Sequence, residues 1–267
     1  MTHQKEIPEA KTQRAVQSVE VGGRILLVLA NSPSAMNLKD LSAETGMAPS
    51  RAHSYLVSYM RLGLIKQDQA GRYDLGPAAM HIGLAFLQRL DPYKEAEPVV
   101  QELAEMTGHT VVIAVWGNFG PTVVKLIEAK GPLHISMRMG SVLSIFDTAT
   151  GRAFASVLAK NKLSQAMGGP VGDLLGKQEL KKRWQELEQI QEDMSKHGMT
   201  RVTGSPIPGV NALSAPVFDQ EGNPIFVVTI TDNQDRLSPK WDSESAKALR
   251  NSIKEITRKI GGVIKAQ

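Results

Sequence analysis

Arg51, Ser54 and Ser58 fall on one side of a helix drawn through "APSRAHSYLVSYMRLGLI", residues 48–65. Groups of these types donate hydrogen bonds to phosphates and base edges, and arginine is the commonest reader of guanine. Tyr55 shares their arc and Ser50 and Arg61 flank it, while Ala52, Leu56, Tyr59, Met60 and Gly63 form the opposite, apolar arc. A solvated face would ordinarily carry Lys and Glu. Short or planar side chains suit a helix that must lie deep in a groove. With His53 on the same helix, and Lys66 and Arg72 just beyond it, the candidate DNA-contacting set is Ser50, Arg51, His53, Ser54, Tyr55, Ser58, Lys66 and Arg72. A plain polar surface is the ordinary alternative, and what flanks the helix decides between the two.

A second set could hold a small ligand. Thr229 and Thr231 alternate with Val228 and Ile230, so both hydroxyls face the same side of a strand. Threonine is also favoured in strands for packing alone. The stretch "DTATGRAFASVLA" reads as a short helix starting near Thr148, whose free amides and positive dipole end suit a carboxylate. Met137, Met139 and Trp116 are candidates for an apolar lining, with core packing the more ordinary role. His109 and His134 could meet a ligand carboxylate, although a surface histidine at a strand end is the commoner case.

Catalytic patterns are missing from the sequence. No GxSxG, HExxH or SxxK spacing occurs, and "GDLLGKQ" has one residue too few between its glycines for a phosphate loop, with Gln178 where Ser or Thr should bind magnesium. There are 6 histidines and 0 cysteines, which leaves no thiolate nucleophile, no disulfide and no Cys-based metal site. We therefore expect no cofactor, no metal and no enzyme. A hydrolase and a sensory module acting through protein contacts are the alternatives.

The 267 residues suggest two domains, and 42% hydrophobic with 22% charged residues is ordinary for a globular protein. The net charge of +4 permits an anionic partner without requiring one. Runs such as "ILLVLA" fall well short of the ~20 apolar residues of a membrane span, and the polar start "MTHQKEIPEAKTQR" resembles neither signal peptide nor anchor. A cytoplasmic protein without membrane contact is expected.

The elements that must position these residues follow from periodicity and turn signals. Residues 1–17 read as a disordered polar arm. Val21, Ile25, Val28 and Leu29 mark a first helix ended by "NSPS". In "NLKDLSAETG" Asn37 suits the N-cap, Asp40 the capping-box position, Leu38 and Leu41 the inner face, and Gly46 the C-terminal stop. Pro49 opens a third helix running to about Leu62, and "LIKQDQAGRYDLG" reads as two short strands around a Gln-Ala-Gly turn. Helix, helix, tight turn, helix and hairpin make a winged helix-turn-helix over residues 18–76. That context turns the polar face of the third helix toward DNA.

Residues 77–91 are apolar nearly all round, so a partner chain is the natural place to bury them. Met80, Leu84 and Leu87 are the dimerisation candidates, and His81 is read as a packed or half-exposed side chain rather than a ligand. Beyond Pro92 come an amphipathic helix ending at Gly108, a β-rich hairpin over 109–129, a third strand "LHISMRM", the short helix and a charged helix over 176–197. The strands "VNALSAPVFD" and "PIFVVTITD", joined by "QEGN", follow. A closing helix over 238–265 uses Ser238-Pro239 as its start. The whole is an α+β chain with a C-terminal antiparallel sheet over residues 92–267.

Three segments carry a resemblance to the IclR family of bacterial transcriptional regulators. They are "LKDLSAETGMAPSRAHSYLVSYMRLGLIKQDQAGRYDLGPAAMHIG", "MGSVLSIFDTATGRAFASVLA" and "PGVNALSAPVFDQEGNPIFVVTIT". The resemblance implies an N-terminal winged helix-turn-helix, a linker helix used in dimerisation and a C-terminal GAF-like effector-binding domain. Such proteins form a homodimer or dimer of dimers and bind double-stranded operator DNA under the control of a small organic acid. Carried onto this chain, the effector lining would comprise Leu143, Phe146, Ala149 and Thr150, then Val210, Ala212 and Ser214, then Thr229 and Thr231, with Thr148 at the helix start. Ser54 stands where relatives often have a basic residue, and Arg51 where they often have a small hydroxyl. The acidic pocket partner of some members has no counterpart at Val202 in "MTRVTGSPIPG". Without a fixed negative charge, the pocket favours an aromatic or other carboxylic acid.

Overall fold

The computed structural model describes residues 15–128, 137–168 and 177–264. The chain divides into two compact units, Met1–Leu90 and Asp91–Gln267.

The first unit opens with α1 (Gln17–Asn31), α2 (Leu38–Thr45) and α3 (Pro49–Arg61). Asn37 caps α2 by accepting the Asp40 N–H at 2.9 Å, and its amide donates to the Asp40 carboxylate at 2.8 Å. Gly46 ends α2 at φ 67°, a left-handed conformation that glycine adopts without a steric penalty and that turns the chain sharply into α3. Ile25, Leu29, Leu41, Ala52, Leu56, Ile65 and Tyr73 form one buried core. Gly22 lets α3 approach α1, since a Cβ there would lie 2.4 Å from the Tyr59 hydroxyl. The wing pairs β1 (Ile65–Gln67) antiparallel with β2 (Tyr73–Leu75). Then comes α4 (Pro77–Arg89), on which Met80, Ile82, Leu84 and Phe86 are all exposed. The side chain of Leu87 and most of the expected N-terminal arm lie outside the described residues.

The second unit begins with α5 (Pro92–Thr107), capped by Asp91 at its start and by Gly108 at its end. Next are β3 (Thr110–Gly117), β4 (Gly120–Ile127), α6 (Ala149–Val157), α7 (Lys160–Gly168) and α8 (Lys177–His197). After these come β5 (Thr200–Thr203), β6 (Val210–Phe218), β7 (Pro224–Asn233) and α9 (Glu244–Ile260). The five strands form one antiparallel sheet in the order β4-β3-β7-β6-β5. Val112, Ala114, Thr229 and Thr231 point to the face that α6 covers, and Val111, Ile113, Val228 and Ile230 to the opposite face, against α5 and α9. Burial on both faces explains why β6 and β7 read as nearly unbroken apolar runs.

Two expectations change, and two elements are added. The closing helix starts at Glu244 rather than at Ser238-Pro239. Ser243 accepts the Ala246 N–H, while Trp241 stacks on His197 at 4.3 Å and beneath Arg201 at 4.1 Å, holding residues 238–243 out of the helix. The strand expected from "LHISMRM" lies mainly outside the described residues, and Met137 to Met139 are not in a strand. Helix α7, with Leu163 as its buried anchor, and the four-residue β5 were not legible from periodicity. No described helix is long and apolar enough to cross a membrane.

Candidate functional site

In the first unit, α3 follows the Gly46 turn and leaves Ser50, Arg51, His53, Ser54 and Ser58 exposed. The Ser54 and Ser58 hydroxyls each donate to the carbonyl of the preceding turn at 3.1 Å, so their lone pairs face outward beside the exposed Arg51 guanidinium. Tyr55 departs from the expected set. It is half-buried, stacks on Tyr59 with ring centroids 6.5 Å apart and packs against α1 at Gly22. A two-ring contact with an amphipathic side chain outweighs its place on the helical wheel.

The wing cations are not free either. Arg72 pairs with Asp68 at 2.8 Å and Lys66 with Asp74 at 3.7 Å. Asp68 accepts the Ala70 and Arg72 N–H groups and so shapes the turn. The Arg72 backbone N–H, with its guanidinium, holds the Asp68 carboxyl below the usual carboxylate range.

In the second unit, a cavity of about 380 Å³ lies between α6 and the sheet. Of the expected lining it is bounded by Leu143, Thr148, Ala149, Thr150, Val210, Ala212, Thr229 and Thr231. Gly151 makes the arrangement possible. A Cβ there would come within 2.1 Å of the Ser144 carbonyl, so only glycine lets the first turn of α6 seat on the preceding loop. The Thr148 hydroxyl donates to the Ser144 carbonyl at 2.7 Å and accepts the Gly151 N–H at 3.0 Å. The Ala149 and Thr150 amides, in the buried first turn of α6 that borders the cavity, donate to no acceptor among the described residues.

Phe146 and Ser214 do not line the cavity. Phe146 joins Ile145, Ala155, Leu163, Leu187 and Ile190 in a separate cluster, because α8 offers its ring an apolar seat under the Arg183 guanidinium. Ser214 is fully buried behind Thr229. The Thr229 hydroxyl lies 2.7 Å from both the Thr150 and the Ser214 hydroxyls, and Thr231 donates to the Asn211 carbonyl at 3.0 Å.

Sequence reasoning missed Val112, Ser141, Val142 and the loop Ser205 to Ile207, all of which border the cavity, as does Val202 at the position where some relatives have an acidic partner. The glycines and prolines of "GSPIPG" signalled a loop, but only the sheet register brings it over the cavity. Met137 lines the cavity, whereas Met139 is exposed and Trp116 packs on Phe154 at 5.6 Å.

His109 is corrected as well. It is buried, with Nδ1 2.8 Å from Asp232 and Nε2 3.0 Å from the Ser245 hydroxyl, and ties β3, β7 and α9 together. Asp232 also meets Arg236 at 3.4 Å, so this is an internal clasp rather than a site facing the cavity. His134 lies outside the described residues.

A charged network braces α6. Arg152 donates to the Phe146 and Arg201 carbonyls and to Glu186, and Arg183 bridges Asp147 and Glu186. Burial works against the Asp147 carboxylate, but the Ser144 hydroxyl and Arg183 together outweigh it and lower its pKa. No group of three or more metal-ligating side chains occurs among the described residues.

The IclR helix-turn-helix domain family matches residues 18–69, and the family described as bacterial transcriptional regulator IclR C-terminal matches residues 84–258. The chain is 23% identical over 259 residues to the Glycerol operon regulatory protein of Streptomyces coelicolor, covering 93% of this chain and 98% of that one. It is 23% identical over 257 residues to the Transcriptional repressor IclR of Escherichia coli, covering 93% and 91%. Among solved structures, Pseudomonas aeruginosa HmgR superposes with a TM-score of 0.81 at 30% identity, covering 92% of this chain and 99% of that one. The Agobacterium tumefaciens repressor BlcR, 20% identical with 93% and 99% covered, shares the fold at a TM-score of 0.74.

Proposed function

Because the chain belongs to the IclR family of bacterial transcriptional regulators, with a DNA-binding helix-turn-helix domain and a C-terminal ligand-binding domain, we propose that it grips operator DNA under the control of a small organic acid. The regulator works in the cytoplasm as a homodimer or dimer of dimers, without membrane contact. The winged helix-turn-helix occupies residues 18–76, the linker and dimerisation helix residues 77–91, and the effector domain residues 92–267.

The observation that carries this reading is the exposed face of Arg51, His53, Ser54 and Ser58 on a helix held between a tight turn and a wing. Arg51 reads a base edge, and the serines and Ser50 position the helix on the backbone. Lys66 and Arg72 exchange their exposed carboxylate partners for phosphates, since surface pairs of this kind stabilise by only about 0–1 kcal/mol. In the second domain, the free amides of Ala149 and Thr150 face a cavity bounded by Leu143, Val202 and Val210, which supports a carboxylate with an apolar body.

The test pairs a thermal-shift screen of organic acids with fluorescence anisotropy on the DNA upstream of the chain's own gene. An acid that raises the melting temperature should also change operator affinity, because it binds the folded state. If no acid does both, the effector reading fails. Retention on DNA that any polyanion abolishes equally would remove the operator reading too.

A further inference from the structure

The last turn of α6 borders another cavity of about 380 Å³, through Ser156 and Val157. Thr148, Ala149 and Thr150 at the first turn border the cavity described above, so the two lie at opposite ends of one helix. Along α9, Arg250, Ile253, Lys254 and Thr257 line the second cavity at i, i+3, i+4 and i+7, which is one face of that helix. Gln191, Met194 and Ser195 come from α8, and Ala215, Pro216 and Phe218 from the end of β6. Val263 and Ile264, just beyond α9, add apolar surface that is 40% and 56% exposed.

Two of the hydroxyls here are spent on their own helices. Ser156 donates to the Ala153 carbonyl at 2.8 Å and Thr257 to the Ile253 carbonyl at 2.7 Å. The strongest polar groups of the wall are therefore two cations one turn apart on α9. Arg250 is held in place, because Nε donates to the His197 carbonyl at 3.3 Å and Nη2 to the Trp241 carbonyl. Those bonds use two of its five donors, fix the plane of the guanidinium and offset the negative pole at the end of α8. Lys254 stands four residues on, at an exposed position. Like charges at this spacing repel, and an anion set against both relieves the repulsion.

We propose that this cavity is a second small-molecule site, which takes a carboxylate carried on a medium-length aliphatic chain. The carboxylate pairs with Arg250 and Lys254, and the chain lies along Met194, Ile253 and Val263, where a methionine adapts to irregular apolar shapes. The inference stands apart from the effector reading, since it uses no residue that borders the other cavity.

Titration of the full chain with octanoate, read by calorimetry and by the methyl resonances of Met194 and Ile253, tests this. Octanoate should shift both methyls saturably. It should bind about tenfold tighter than hexanoate, because two more methylenes are buried, and about tenfold or more tighter than the uncharged octanamide. Lys254→Glu reverses an exposed charge that folding tolerates, and should weaken octanoate binding about tenfold. Ser195→Trp, at an exposed position on α8, fills the cavity and should abolish the shift at Ile253.

Octanamide that matches octanoate overturns the proposal. So does a Lys254→Glu chain that binds octanoate like the wild type. Octanoate that shifts the methyls of Met137 and Val210, but neither Met194 nor Ile253, occupies the other cavity and overturns it too.

Discussion

Thr229 and Asp147 show how a side chain's role follows from its partners. Thr229 was legible as one of two hydroxyls on a strand face, yet its oxygen lies between Thr150 and Ser214. Thr229→Val keeps the shape but strands the fully buried Ser214 hydroxyl. It should cost the ligand-free protein about 1–3 kcal/mol in denaturant unfolding, and a loss near zero would mean that Ser214 finds another partner. Asp147 has its pKa lowered in the folded state. Its stabilising contribution is therefore complete above the ordinary carboxylate pKa, near ~3.9, and is lost as pH falls through the lower folded value. Asp147→Asn should flatten the acid limb of the stability curve, and melts across that range would reveal an unchanged limb if the Ser144–Arg183 contacts contribute nothing. On α3, Arg51→Ala should cost about 1–3 kcal/mol on the operator and relax discrimination at one base pair. Equal anisotropy titrations on operator and scrambled DNA, before and after substitution, would remove Arg51 from the contact set.

At the scale of elements, α2 and α6 depend on their first turns. Asn37 closes α2 with bonds to Asp40 in both directions, so Asn37→Ala should cost about 1 kcal/mol of stability and loosen the turn that aims α3. Helix α6 depends on the absence of a side chain. Gly151→Ala would press a methyl into the Ser144 carbonyl, lift the first turn from its loop and displace the Ala149 and Thr150 amides. Effector-induced thermal shift should vanish in this variant while binding to DNA without effector persists, and a wild-type thermal shift would show that the turn is not the anchor. Two short elements were invisible to periodicity for a physical reason. β5 and α7 bury too few side chains to imprint a repeat, and their places come from pairing with β6 and from Leu163.

The whole chain exposes Met80, Ile82, Leu84 and Phe86 along α4, an apolar surface of the kind that marks an interface. Leu84→Asp should break the dimer, because a charge cannot be buried there without a partner. Operator affinity should fall with it, since one half-site holds a lone winged helix weakly. Light scattering that finds the wild-type mass in Leu84→Asp would move the interface away from α4.

The sequence by itself determined the order of the main elements, the turn at Gly46, the cap at Asn37 and the apolar faces of α1, α3 and α5. Each of these is a local matter of backbone conformation or of periodic burial. It also determined that Thr229 and Thr231 share a face, because alternation along a strand needs no tertiary information. Tertiary structure alone decided what those residues touch. Tyr55 turns inward because Gly22 leaves room for its ring, Phe146 leaves the cavity because α8 offers a better apolar seat, and His109 is buried because Asp232 and Ser245 meet it from distant segments. Each outcome depends on partners roughly thirty to well over a hundred residues away, brought together only when elements pack under long-range entropy costs that no local pattern records.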